Sequence, residues 1–301
     1  MPSVAVRDHR GNSLPYVEAL AAKGWDVVPL GQRADVLLID LDIDRPGYRD
    51  VIHAYAEAGA RIVLYPHGAN ALTCWDGLDE PYPVDLCVVP GEGHRMVMEA
   101  YGYPRPILVA GFSFCGIRRF RPSRGERVLF APIHPLGSGW LAPRDKAANE
   151  VAFRTLLQTG RPLVVRYMGT LAENGLWEEP GVTFVRADVD PVDHIDSADV
   201  VVAHGTFLSM SVARGRPSVS FHQVEPMNDA ENPGEVQFPV RSWDRYREIM
   251  RYPHDLGDPL ALETACAVEA NGWRERFVGR PLDANLLNDR LRSLVAEAVV
   301  A

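Results

Sequence analysis

No stretch of this 301-residue chain strings about 18 apolar residues together, which excludes a conventional membrane-spanning helix and implies no membrane insertion. The opening residues, MPSVAVRDHRGN, lack the basic start, apolar stretch and small-residue cleavage site of a secretory signal, so the expectation is a cytoplasmic protein. Cysteine is scarce, with four residues at 74, 87, 115 and 266. They form no CxxC pair and no metal-ligand spacing, which predicts reduced, mostly buried thiols and no structural metal. Positive charge is not in excess either. A formal charge of −9 gives no general pull toward nucleic acid or an anionic membrane, so any polyanion contact has to be local. Internal repeats and low-complexity tracts are missing as well.

What remains is globular composition, 47% hydrophobic and 24% charged, in a chain long enough for two domains with separate cores. In the first half, short β-branched runs alternate with amphipathic stretches. VAVRD, WDVVPL, ADVLLIDL, RIVLYPHG, DLCVVPG and PILVAGF read as six strands, with helices such as PYVEALAAKG and RDVIHAYAEAG between them. Residues 113–127, SFCGIRRFRPSRGER, break this rhythm with Gly, Pro and five arginines, as a linker does. A second series follows, with RVLFAPIH, PLVVRYMG, GVTFVRAD, ADVVVAHG and PSVSFHQ as strands.

Alternation of this kind specifies parallel sheets with crossover helices, so the fold class is α/β with two Rossmann-like, doubly wound domains. Ligands of such domains sit beyond the carboxyl ends of the strands. Segments 224–258 read as loop with one helix near 242–250. LALETACAVEANGWRERF and ANLLNDRLRSLVAEAVVA have helical apolar spacing. The domains are drawn at 1–116 and 124–282, with a helix over 283–301 returning toward the first.

Three segments resemble the glycosyltransferases of the GT-B fold and their relatives, the UDP-N-acetylglucosamine 2-epimerases and the glycerol-phosphate polymerases of teichoic acid synthesis. DHRGNSLPYVEALAAKG (8–24) looks like the opening loop and helix of that group, and GIRRFRP (116–122) like its interdomain segment, with Arg118 where an aspartate is common. The strongest is ADVVVAHGTFLSMSVARGRPSVSF (198–221), which is similar to the donor-binding strand, turn and helix. The resemblance implies two domains facing a cleft, and a nucleotide-diphosphate sugar bound as co-substrate, with no further cofactor and no metal.

The third segment also has a physical rationale. Gly205 allows a tight turn after a buried strand, and the amides of Thr206, Phe207 and Leu208 then stand at a helix N-terminus, where free donors and the dipole favour phosphate. Arg166, His204, Gly205, Thr206, Phe207 and Ser209 are therefore the candidate donor contacts, while a helix cap with no ligand is the alternative. Met210 stands where many members carry a ribose-holding Glu. YPHG (65–68) resembles the polymerase motif that carries the catalytic base, which makes His67 the candidate base and Asp8 its understudy; a His bonded only to a loop is the plain alternative.

Asn12, Ser13, His134, Arg118 and Arg119 are candidate acceptor or phosphate contacts, the arginines alternatively belonging to a solvated linker. The aspartates of DVDPVDHIDSAD (188–199) read as caps rather than as a metal site. The implied function is metal-independent transfer of a sugar or related group to a hydroxyl on a glycan, a small molecule or a modified DNA base, so a nucleic-acid partner stays open. A nucleotide-sugar 2-epimerase-like isomerase or hydrolase, or a non-catalytic binding protein of the same fold, are the alternatives.

Overall fold

The computed structural model describes residues 1–7, 13–40, 48–65, 83–103, 105–134, 141, 143–188, 190–222 and 248–300. The chain divides into two compact units. Among the described residues the first holds everything up to Phe114, residues 248–249, and Glu275 onward; the second holds Cys115 to His222 and Met250–Arg274.

The first unit is built on β1 (Ser3–Arg7), β2 (Asp26–Val28), β3 (Val36–Asp40), β4 (Arg61–Tyr65), β5 (Leu86–Val89) and β6 (Ile107–Val109), all six strands foreseen. They form one parallel sheet in the order β2-β1-β3-β4-β5-β6. β3 and β5 are buried at every residue, as strands covered on both faces must be, which is why they read as continuous apolar runs. Helices α1 (Leu14–Ala21), α2 (Tyr48–Glu57) and α3 (Glu92–Tyr101) make the crossovers. The last helix, α9 (Ala284–Val300), brings Leu287, Leu291 and Leu294 into the same core as Val4, Tyr16, Leu20 and Trp25. The Trp25 indole N–H donates to the Asn288 side chain at 3.0 Å, which fixes the register of that packing.

The second unit has β7 (Val128–Ala131), β8 (Leu163–Tyr167), β9 (Thr183–Arg186), β10 (Val200–Ala203) and β11 (Ser218–Ser220), parallel throughout and ordered β11-β10-β7-β8-β9. Helices α4 (Pro143–Gln158), α5 (Pro191–Ser197) and α6 (Gly205–Ala213) connect them. Phe130, Phe153, Val165, Val200, Val202 and Val219 form its core, closed by Ala261, Leu262 and Ala265 of α7 (Ala261–Ala267).

One expectation needs correction. The stretch 260–277, read as one helical run, is two short helices, α7 and α8 (Asn271–Phe277). The break falls at Val268, whose backbone is extended and whose carbonyl accepts from His254 Nε2 at 3.0 Å, a bond that takes the place of the helical one. The arginine-rich linker keeps its side chains in solvent, with Arg118, Arg119, Arg121, Arg124 and Arg127 all exposed, while its backbone is held in place. Arg118 N–H donates to the Ala213 carbonyl at 2.7 Å and Arg121 N–H to the Gly215 carbonyl at 2.9 Å, so the backbone is laid along the turn that follows α6. Gly215, at φ +69°, makes this possible, because a Cβ there would collide with the Arg119 carbonyl.

The acidic stretch 188–199 has structural work. Asp190 caps α5 by accepting from Val192 N–H at 2.8 Å, and Asp199 accepts from Arg127 N–H at 2.9 Å. Asp196 pairs with Arg214 and with Arg118 at 3.1 Å. The hydrogen bond from Arg214 holds its carboxyl below the ordinary value, with Arg118 and Arg216 adding to the effect. Among the described residues the thiols of Cys87, Cys115 and Cys266 are free, and no helix is long and apolar enough to cross a membrane.

Candidate functional site

Strand order in the second sheet reverses between β7 and β10. The chain winds from β7 outward to β9 and then returns to β10 on the other side of β7. That reversal opens a crevice at the carboxyl ends of these two strands, where doubly wound domains bind ligands. β10 ends at Ala203, and the next residues are His204 and Gly205.

His204 is the N-cap of α6, in extended backbone at φ −131° and ψ 159°, with no side-chain cap bond. Gly205 follows at φ +62°, a left-handed conformation that turns a strand directly into a helix and that a side chain would resist. Leu208 N–H donates back to the His204 carbonyl at 3.4 Å. The amides that a helix leaves without an internal partner are therefore those of Gly205, Thr206 and Phe207, one residue earlier than the sequence suggested. Thr206 and Phe207 are half-buried. Ser209 is wholly buried, with its hydroxyl 3.4 Å from the Gly205 carbonyl, so it offers no exposed contact; Met210 is buried as well.

Arg166 is the penultimate residue of β8, and its guanidinium lies over the Phe207 ring at 5.3 Å. One Nη donates to the Ala187 carbonyl at 3.3 Å. Burial pulls this guanidinium below its ordinary value, while Asp190 and Asp188 act against the shift; an arginine stays charged in either case. Cation–π contact with Phe207 and the Ala187 bond restrict its motion, which reduces the entropy lost when an anion binds.

His134 lies three residues beyond β7 and is exposed. The segment before it is pinned by Asn149 of α4, a wholly buried side chain. Its Oδ1 accepts from Ile133 N–H at 2.8 Å, while its Nδ2 donates to the Ile133 carbonyl at 2.7 Å and the Asn174 carbonyl at 3.0 Å. His222 follows β11, with Nε2 at 3.5 Å from Asp145 Oδ1. Its carbonyl accepts twice, from the His204 ring at Nδ1 (3.1 Å) and from the Ser220 hydroxyl (3.0 Å). The two imidazole rings are 5.3 Å apart. Burial, then the like charges of His222 and His134, push the His204 ring down to about 4, against the pull of the carbonyl bond.

The structure thus brings together Arg166, His204, Gly205, Thr206, Phe207 and His134 in the second unit. His67, Asp8 and Asn12 lie outside the described residues. Ser13 is buried in the first unit as the N-cap of α1, its carbonyl accepting from Tyr16 and Val17 N–H. Arg118 is engaged with Asp196, and Arg119 is exposed. His222, Asp145 and Asn149 were not anticipated. For His222 a signal existed, since PSVSFHQ carries a histidine just beyond its strand as ADVVVAHG does.

No family model matches the chain, and no curated protein matches it either. Solved structures do. A putative UDP-N-acetylglucosamine 2-epimerase from Listeria monocytogenes is similar at 12% identity and TM-score 0.57, covering 99% of this chain and 96% of its own. The glycosyltransferase SnogD from Streptomyces nogalater is similar at 13% identity and TM-score 0.50, covering 99% of both chains. A variant of the wall teichoic acid polymerase TagF is similar at 11% identity and TM-score 0.50, covering 100% of this chain and 90% of its own. Likeness over the whole length, to chains this divergent in sequence, is a likeness of fold. With its two parallel α/β sheets, this chain has the GT-B fold.

Proposed function

We propose that this chain moves a sugar or related group from a nucleotide-diphosphate donor to a hydroxyl acceptor, and that the turn at His204, Gly205 and Thr206 holds the donor diphosphate. The observation that carries this reading is the start of α6 at the strand-order reversal, with Arg166 fixed against Phe207 one strand beyond β7. Helix-end amides and a guanidinium supply positive charge where negative charge develops as the glycosidic bond breaks and the nucleoside diphosphate leaves. They do what a bound metal ion does in other transferases, and we propose that the reaction needs none. The acceptor hydroxyl forms the new bond to the sugar carbon and loses its proton to a base. The resemblance assigns that base to His67.

The test is calorimetric titration with uridine, guanosine, cytidine, thymidine and adenosine diphosphates and their sugars. Binding of one of them is expected. Arg166→Ala should weaken it by about 1.5–3 kcal/mol, the range of a charge-assisted hydrogen bond, and Thr206→Val by about 1 kcal/mol. Failure of every donor to bind would refute the reading. Following the bound donor alone by NMR separates transfer from the epimerase alternative, which would change the sugar with no acceptor present.

A further inference from the structure

Four adjacent strands of the second sheet each carry a basic side chain at or near their carboxyl end. In spatial order these are His222 after β11, His204 after β10, His134 after β7, and Arg166 in β8. Ala203 pairs with Ser220 on one side and with Ala131 on the other, so the β11, β10 and β7 ends are level. Three of the four charges in this row are thus imidazoles, which carry charge only when protonated. The groups facing them are Asp145, 3.5 Å from His222 and 3.8 Å from Arg144, and Asp188, Asp190 and His194 around Arg166.

The tautomer of His204 follows from its partner. A carbonyl oxygen only accepts, so Nδ1, at 3.1 Å from the His222 carbonyl, carries the proton of the neutral ring. Its Nε2 then bears a lone pair, which repels a phosphate oxygen. Only the doubly protonated ring can donate to one. In the free protein, burial and the two neighbouring rings hold His204 neutral. A dianion placed among three imidazoles reverses that balance, because each added proton then gains an opposite charge.

We propose that this row is a proton-coupled anion site, in which a diphosphate on the strand ends is met by imidazolium as well as by Arg166 and binds with net uptake of protons. The inference deepens the donor reading and rests on it for the nucleotide, though not for the anion. Linkage sets the size of the effect: affinity falls about tenfold per pH unit for each proton taken up.

Calorimetry of the whole chain with nucleotide-diphosphate sugars, whose phosphodiesters do not titrate between about pH 5.5 and 8, measures this in buffers of different ionisation heat. Inorganic sulfate, read on the imidazole C–H resonances, is the nucleotide-free arm. The expected result is affinity that falls at least tenfold across that range, with buffer-dependent heats, and a flattened profile in His204→Gln and His222→Gln. The wild-type heats decide the matter even if a variant fails to fold. Nucleotide binding of constant strength with no proton uptake would overturn the proposal and leave the donor reading standing. Sulfate binding with proton uptake, but no nucleotide binding, would do the reverse. Silence of both ligands would overturn both.

Discussion

Asn149 is the polar residue on which the geometry of the candidate site most depends. It lies wholly buried on α4 and spends its amide on three peptide groups: the Ile133 N–H, the Ile133 carbonyl and the Asn174 carbonyl. Leucine fills nearly the same volume but has nothing to offer these groups. Asn149→Leu strands the part-buried N–H and carbonyl of Ile133 and the buried carbonyl of Asn174, at about 1–3 kcal/mol for each unmade bond, less for carbonyls that retain another partner. A loss of about 3–5 kcal/mol is expected, a large part of the stability of a typical domain. Urea denaturation would show a lower midpoint, and the Ile133 amide should exchange faster. Asn149→Asp adds a second arm. The new carboxyl faces two carbonyls, which raises its pKa above the unfolded value; its stabilising, protonated form is present at low pH and lost as pH rises. This variant should therefore recover stability relative to wild type as pH falls from about 7 to 4. A loss below about 1 kcal/mol for Asn149→Leu would refute the reasoning, since it would mean that these peptide groups find other partners.

Asp196→Asn leaves Arg214, Arg118 and Arg216 facing one another, and should cost about 2 kcal/mol at pH 7. Because the Asp196 carboxyl is held low, that difference should shrink as pH falls below about 4, which thermal denaturation at several pH values would reveal. His204, pushed down to about 4, contributes stability that is complete above its unfolded value and lost as pH falls from about 6.5 through 4. At most about 3 kcal/mol is at stake, and His204→Gln should flatten that part of the acid denaturation curve. His67→Ala should lower turnover by about 10²- to 10⁴-fold with donor affinity nearly intact, as removal of a general base does; a loss confined to binding would make it a ligand contact.

The central strands were legible because a parallel strand buried on both faces leaves an apolar run that little else produces, as VLLID and VVVA show. The His204–Gly205 turn was legible for a related reason: a glycine directly after such a run marks where a strand becomes a helix. Other features depend on what folds beside them. Nothing local distinguishes Val268 from a helical residue, and its carbonyl is taken up by the imidazole of His254, 14 positions away, where α7 ends. Asn149 looks like an ordinary polar position on an amphipathic helix until β7 supplies the peptide that it holds. Asp145 and His222 are 77 positions apart and meet only because α4 and β11 flank the same end of one sheet. The linker arginines read as solvated and are exposed, but the pairing of Arg118 with Asp196 was not legible, because Asp196 belongs to a segment whose acidic residues all looked like caps.

The central claim is that the α6 N-terminus receives a diphosphate, and a crystal structure of the chain with a bound nucleoside diphosphate tests it most directly. The account predicts phosphate oxygens within hydrogen-bond distance of the Gly205, Thr206 and Phe207 amides, and in contact with Arg166. A nucleotide seated on the first unit, or on the second with its phosphates away from this turn, would contradict it.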